Sequence, residues 1–401
     1  MLPIISAVFL SCAAVSFTVY FVGVWAAFRH TARTPTPETA LSLPPITLLK
    51  PIKGLEEELE ENLISFFEQK YPAEIQFVFA STEKDDPGIV LARRLASRYP
   101  NLDVAFVLSD PAFGLNPKVS NLRGALKAAR HDTVLQSDAN VRVRSGFLQS
   151  LAEEFALNKA SLLGCLVVGV GERSIGAALE NLHLTGFIGP SLCAVQRVAD
   201  TTCVVGKAMI FRKSELEQLG GLAAVKDVLL EDFILGEIYR RAGKTVALSN
   251  QIVENVNIRT SVAQFLSRHS RWLKMTAVVS KSGMLAQLFS NPLLFVLLAW
   301  LSSGFDLQLL LLLATVILIK LLADAALVRR MRGFAMRGFE QWLSPIRDTL
   351  IGMIWLYALF SRTVRWRGKE LRIRSGSEIV PEPPRQGPRI SFSFAGKSRG
   401  R

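Results

Sequence analysis

Lysines, paired carboxylates and an arginine–tryptophan cluster recur along this chain at spacings suited to handling an anionic group. KPIKG carries Lys50 and Lys53, EKDDP carries Asp85 and Asp86, and SDAN carries Asp138. GLNPKVSNL (114–122) puts Lys118 and Asn121 at a helix start, where free N–H groups beside a lysine form a natural anion site. LLED sets Glu231 and Asp232 inside an otherwise apolar, helix-like stretch (229–244). RHSRW spaces Arg268, Arg271 and Trp272 at i, i+3 and i+4, which is one face of a helix. It stands just before the most hydrophobic part of the chain. Such a cluster could clamp a negatively charged leaving group, or it could be an interfacial belt. The other stretches carry structural readings too. Asp85–Asp86–Pro87 is good capping chemistry with proline at the first helical position. Asp138 suits a turn, Lys118–Asn121 a capped helix start, and Glu231–Asp232 an acidic first turn facing the helix dipole.

The elements that must position these residues alternate. ITLL (46–49), IQFVFAS (75–81), DVAFVL (103–108) and TVLQS (133–137) are short apolar or β-branched runs that read as strands. Helix-like segments lie between them at 56–69, 87–98 and 118–130. Later strands are expected at 162–170, 207–211 and 245–249, with helices at 145–158 and 231–242. This alternation predicts an α/β fold, a mostly parallel sheet with helices on both faces. Ligands of such sheets bind beyond the C-terminal ends of the strands. Lys50, the Asp85–Asp86 pair and Asp138 all follow strands on that edge. There is no glycine-rich dinucleotide fingerprint and no P-loop.

Half of the 401 residues are hydrophobic and the formal net charge is +13. The basic residues cluster beside apolar runs and in the C-terminal tail, which fits an anionic membrane surface better than nucleic acid. Cys12, Cys165, Cys193 and Cys203 are too scattered for a zinc site or a disulfide framework. Leu2 to Phe28 holds no charge and is longer than the roughly 20 residues a bilayer needs. It reads as an uncleaved anchor (1–30). Arg29, His30 and Arg33 follow it and orient the next domain (44–275) to the cytoplasm. An interfacial helix (261–281) with RHSRW then leads into a transmembrane hairpin (282–328), built from Ser282–Phe305 and Leu307–Val328. Lys320 and Asp324 in the second arm stand i, i+4 and could pair, although snorkelling of Lys320 at an interface is the simpler reading. Arg329, Arg330 and Arg332 mark the return to the cytoplasm. The run Thr349–Ser361 is short for a span and suits a re-entrant or interfacial helix (345–362). Residues 363–401 are expected to be a basic, partly disordered, cytoplasmic tail. The whole reads as a multi-pass membrane protein, in the cell membrane if bacterial.

Taken in order, LLKPIKG, EKDDP, GLNPKVSNL, QSDAN, LLED and RHSRW resemble a membrane-bound family-2-type glycosyltransferase. The nearest pattern is the ceramide glucosyltransferase branch, family 21, over about residues 44–375 with WRGKELRIR included. The resemblance implies a GT-A fold and an inverting hexosyltransferase that moves a sugar, glucose first, from a UDP-sugar to a lipid hydroxyl. Ceramide is the expected acceptor and a hopanoid polyol with UDP-N-acetylglucosamine the alternative. An alternative of another class is a non-catalytic membrane protein that binds nucleotide sugars. By the same resemblance, Asp85 or Asp86 holds the uridine and Asp138 the metal–diphosphate, with Mg²⁺ or Mn²⁺. Asp232 is the base. Arg268, Arg271 and Trp272 stand near the diphosphate and the acceptor mouth. TTCVVGKAM, with Cys203 at its centre, resembles the acceptor-proximal loop. Lys50, Lys118 and Asn121 complete the expected donor contacts, and His183 is a candidate for the branch's acceptor histidine. One departure stands out, since Gln136 occupies the place where the first carboxylate of a DxD often lies.

Overall fold

The computed structural model describes residues 2–32, 42–199, 201–336, 338–366 and 369–381, in two units. One unit comprises His30–Val170 and Leu192–Val256; the other comprises Met1–Arg29, Gly171–Ser191 and Asn257–Arg401. Arg33 and residues 382–401 of the expected tail lie outside the described residues.

The first unit is built on eight strands: β1 Ile46–Pro51, β2 Ile75–Ser81, β3 Asp103–Leu108, β4 Thr133–Ser137, β5 Val141–Arg142, β6 Leu162–Val170, β7 Ala208–Arg212 and β8 Val246–Val256. Their order in the sheet is β3-β2-β1-β4-β7-β6-β8-β5. β3, β2, β1 and β4 are parallel, with Leu48 opposite both Phe77 and Leu135. Helices Leu59–Phe67, Pro87–Ala96 and Pro117–Ala128 make the crossovers. β1 is buried along its whole length, as a strand covered on both faces must be. The four expected N-terminal strands are found at their expected places. β7 enters antiparallel between β4 and β6, and β8 runs on through SNQIVENV past the expected 249. That extension is paired on both sides, with β6 and with β5. Leu49, Val78, Val119, Leu122, Val134, Met209 and Tyr239 belong to one core that joins the sheet to helices Pro117–Ala128 and Glu231–Arg241. Each fully buried apolar side chain of this kind stabilises by roughly 1.5–3 kcal/mol.

The second unit is mostly helical. Helices Leu2–Thr31 and Leu307–Arg332 are long and apolar enough to cross a membrane. The apolar run expected as the first hairpin arm is instead two helices, Lys281–Phe289 and Pro292–Ser302, bent by 67°. Asn291 and Pro292 cause the break. The Asn291 side chain caps Leu294 (3.4 Å) and donates to the Asp348 carbonyl (2.8 Å), while proline cannot continue a helix. Counted as one broken span, the pair makes three among the described residues. Helix Ser344–Phe360 covers the expected re-entrant segment. Lys320 does not snorkel. It is buried, 3.2 Å from Asp324 and 2.9 Å from Asp348, and Arg347 joins both carboxylates. Arg332 is also buried, 2.9 Å from Glu172. Strands Thr363–Trp366, Lys369–Ile373 and Ile379–Pro381 form an antiparallel sheet where composition had pointed to the start of a tail.

Candidate active site

Helix Pro117–Ala128 starts on Asn116, whose side chain accepts from the N–H groups of Lys118 (3.0 Å) and Val119 (3.3 Å). Pro117 at the first helical position needs no partner for an N–H. This start delivers Lys118 into a cluster of charge. Its Nζ lies 2.9 Å from Asp138 Oδ1, 2.9 Å from Glu231 Oε1 and 3.2 Å from the Gly206 carbonyl. Lys207 Nζ lies 3.1 Å from the other Asp138 oxygen and 3.0 Å from Asn140 Oδ1. Both oxygens of Asp138 therefore face an ammonium. Burial alone would push this carboxyl up, but Lys118 and Lys207 outweigh burial and hold it at about 2. Burial likewise opposes the charge of Lys118, and Asp138, Glu231 and Asp232 overcome that and raise it above the ordinary lysine value.

Asp232 opens helix Glu231–Arg241 beside Glu231 but has different partners. Its Oδ2 accepts from the Gly206 N–H (2.5 Å) and its Oδ1 from the Phe233 N–H (2.8 Å). Burial, and then repulsion from Glu231, push its carboxyl up to about 6, against the opposing pull of Lys118 and the two N–H groups. A carboxylate that titrates near neutrality and holds few charged partners is suited to general-base work. Glu231 is instead turned to Lys118 and to Asn116 Nδ2 (3.4 Å).

The segment 201–207 packs over Asp232 because glycines let it. A Cβ on Gly206 would fall 2.9 Å from Asp232 Cβ and 3.1 Å from Lys118 Nζ. Val204, buried, anchors the same segment, with space made by Gly164 and Gly236. Cys203 lies here too. Burial, followed by the charges of Asp232 and Glu237, pushes its thiol up to about 12, so it is not a thiolate nucleophile.

The remaining expected donor contacts are placed differently. Lys50 is 1% exposed; its amine donates to Ser137 Oγ (3.0 Å) and the Asp138 carbonyl (2.9 Å) and lies over the Phe66 ring. Burial lowers it well below the usual lysine range. It supports Asp138 from beneath and does not reach outward. Asp86 caps Gly88 (2.8 Å) and Ile89 (3.4 Å) with one oxygen and accepts from the Gly54 N–H (2.7 Å) with the other. Buried Asn121 donates to the Ile52 carbonyl (3.1 Å). Asp86 and Asn121 thus fasten the turn after β1, and Asp85 is the exposed member of its pair. Sequence reasoning missed Asn116, Gly206 and Lys207; the NPK and GK dipeptide patterns were the available signals.

The second unit holds RHSRW. Helix Val262–Val279 begins with a capping box between Ser261 and Gln264. Arg268 lies 3.0 Å and His269 3.1 Å from the two oxygens of Glu180, which is fully buried. Burial would raise Glu180, but His269 and Arg268 hold it at about 2. Trp272 meets the His269 ring edge-on at 5.1 Å. Arg271 is half-buried one turn away. Glu180 had no sequence signal, being one acidic residue in an apolar helix.

Among the described residues no group of three or more His, Cys, Asp or Glu side chains could hold a metal ion. Gln136 is buried with its Nε2 unpartnered. This donor set fits a divalent cation only in one way. Asp138 would supply one ligand once Lys118 or Lys207 turned from its oxygen to the diphosphate, and the rest would come from phosphate oxygens and water, as Mg²⁺ tolerates.

A model of glycosyl transferase family 21 matches residues 8–379. Ceramide glucosyltransferase 3 of Caenorhabditis elegans is 25% identical over 351 residues, covering 85% of this chain and 75% of that protein. The ceramide glucosyltransferase of Komagataella phaffii is 30% identical over 204 residues, 44% of this chain and 40% of its own length. Among solved structures, the mannosyltransferase PcManGT of Pyrobaculum calidifontis, in complex with GDP-Man and Mn²⁺, aligns over 89% of this chain and 99% of its own. The TM-score is 0.54 at 17% identity, a likeness of fold.

Proposed function

The chain belongs to glycosyl transferase family 21, and from that premise we propose that it transfers glucose from UDP-glucose to the primary hydroxyl of ceramide with inversion. Its ceramide glucosyltransferase relatives support a hexosyltransferase and favour ceramide over a hopanoid polyol, and the likeness to the mannosyltransferase supports the GT-A fold. The observation that carries the mechanism is Asp232, a carboxylate pushed up to about 6 and held by two backbone N–H groups beside a lysine–carboxylate cluster.

In this reading the acceptor hydroxyl gives its proton to Asp232 as its oxygen attacks the anomeric carbon. The bond from that carbon to the diphosphate oxygen breaks, and UDP leaves with the electron pair. One in-line displacement converts an α-linked donor into a β-linked product. Lys118 and Lys207 keep positive charge at the site where the diphosphate is expected, and Asp85 is the exposed carboxylate left to meet the uridine. A divalent cation held by Asp138 and the diphosphate would neutralise charge on the leaving group. Arg271, with Arg268 and Trp272 on the same helix, is assigned to the acceptor mouth. Arg268 is there to set the helix through Glu180, because its guanidinium already faces that carboxylate. The catalytic unit and the C-terminus are assigned to the cytoplasm. Arginines at the end of helix Leu307–Arg332 support that orientation.

The test is transfer by detergent-solubilised membranes, offered UDP-glucose or UDP-N-acetylglucosamine with ceramide and a hopanoid polyol together. Mass spectrometry should find a hexosylceramide that vanishes with Asp232→Asn. An N-acetylhexosaminyl hopanoid would refute the ceramide assignment. No product from any pair would refute the catalytic one.

A further inference from the structure

The second unit contains a narrow pocket lined by His183, Phe187, His269, Trp272, Gln287 and Trp355, with Leu288, Asn291 and Leu294 from the helix break. The cavity itself is small, about 30 Å³, within about 430 Å³ of empty space that includes the open mouth. The walls are largely apolar, and the polar groups divide into two classes. His269 is held by Glu180, Asn291 by the Asp348 carbonyl, and the Trp355 indole donates to the Met284 carbonyl at 2.9 Å. His183 Nδ1 and Gln287 Oε1 are buried with no hydrogen-bond partner. His183 is 4% exposed and its ring is wedged between Phe187 (4.8 Å) and His269 (4.4 Å). Buried polar atoms are almost always paired with protein, water or ligand, so these two mark where a molecule entering this apolar pocket would find hydrogen bonds.

The chemistry of the orphans restricts that ligand. Gln287 Oε1 can only accept. His183 stays neutral, since burial and then the neighbouring His269, Arg347 and Lys320 disfavour its charge. A neutral imidazole can offer an N–H at Nδ1. One acceptor and one donor match an amide linkage, which supplies one N–H and one C=O. The apolar lining, and the broken helix that borders it, suit a lipid chain on either side of that amide. We propose that this pocket recognises the amide of the acceptor lipid, with Gln287 accepting its N–H and His183 donating to its carbonyl. The inference rests on the ceramide reading and deepens it, making Gln287 and His183 the residues that separate amide-linked from ester-linked or amide-free lipids.

Binding is measured without donor, so a failed transfer reaction cannot mask the result. The full chain in nanodiscs is titrated with a diazirine-labelled ceramide, with its ester-linked analogue, and with its N-methyl analogue. Photo-adducts are mapped by mass spectrometry. The expected result is labelling of 281–302 and 344–360, with binding about 10-fold weaker for each analogue, the usual effect of one lost hydrogen bond in a buried site. Gln287→Met and His183→Phe should reduce the preference for the amide while leaving labelling of the same peptides. In transfer assays, these variants should raise KM for ceramide about 10-fold with kcat within twofold. Equal binding of amide, ester and N-methyl lipids by the unaltered chain would overturn the proposal, and that comparison needs no variant to fold. Labelling confined to other peptides would overturn it as well. If ceramide binds here with amide preference yet no lipid is glycosylated, the pocket assignment stands and the catalytic reading fails.

Discussion

The Gly206 N–H donates to Asp232 Oδ2 at 2.5 Å, and the same glycine leaves no room for a Cβ against the aspartate. One residue thus both holds the proposed base and sets its distance from the segment above it. Gly206→Ala should move Asp232 away from its position while Val204 keeps the segment anchored in the core. Displacing a catalytic group by a fraction of an ångström to one ångström costs up to about 100-fold in rate. We expect kcat to fall by about that factor with little change in thermal inactivation, read by parallel activity and melting measurements.

Asp232 also fixes an expected pH dependence. Its carboxyl is raised to about 6, so it is protonated, and useless as a base, below that pH. Its capacity to accept the hydroxyl proton is lost as pH falls through about 6 and is complete well above it. The acidic limb of kcat/KM should bend near 6, although the value belongs to the Glu231–Asp232 pair. Asp232→Asn should abolish that limb and lower kcat by about 10²–10⁴-fold, the usual contribution of a general base. A limb near 4 would show that the base is an unperturbed carboxylate elsewhere.

The parts of this arrangement readable in the sequence are those written in local patterns. β1, β2 and β4, buried almost throughout, and the half-buried edge strand β3 announced themselves as short apolar or β-branched runs between helix-like segments. Lys118, Asp138 and Asp232 could be picked out by their places at strand and helix ends, and the structure brings these three together. Lys50 sits at a similar place, yet a buried amine held by Ser137 and the Asp138 carbonyl depends on contacts 87 and 88 residues away. Asp86 kept its local capping role. Hydropathy saw an unbroken apolar run at 282–305 and passed over Asn291–Pro292, a helix-start signal inside it. The Lys320–Asp324 pair was written in its i, i+4 spacing, but its burial and the second partner Asp348 were not. Glu180 pairs with Arg268 and His269, and Arg347 with Asp324, through tertiary contacts that no spacing encodes.

Lys118 bridges two carboxylates, so removing its charge should leave Asp138 and Glu231 facing each other with only Lys207 in support. Breaking one partner of a buried charge pair costs roughly 3–5 kcal/mol. The side chains here are 18–20% exposed for Lys118 and Asp138, so water will recover part of that. Lys118→Met should therefore lower the midpoint of thermal inactivation measurably and weaken donor binding. Lys118→Arg should restore stability more than activity, because a planar fork cannot replace a point charge in the same space.

The proposed role of Asp138, as the one carboxylate on a divalent cation, implies that metal and donor bind together. Manganese titrated alone and followed by electron paramagnetic resonance should show no tight site. Added UDP should create one, and Asp138→Asn should remove it. A tight site on the unliganded chain would require ligands other than those assigned here.

Glu180 explains why RHSRW holds its shape. Its two oxygens face Arg268 and His269 at 3.0 and 3.1 Å, and the carboxylate is fully buried while Arg268 is 31% exposed. Neutralising Glu180 leaves His269 without its partner inside the unit and releases Arg268 toward water. Glu180→Gln should thus destabilise more than Arg268→Gln. A double-mutant cycle between these two should give a coupling of about 1–2 kcal/mol, reduced from the fully buried case by the exposure of Arg268. If Arg268 acted only on substrate, the cycle in thermal inactivation would be additive, and all its effect would appear in kcat. Coupling in stability together with a drop in kcat is the result that a positioning role for Glu180 requires.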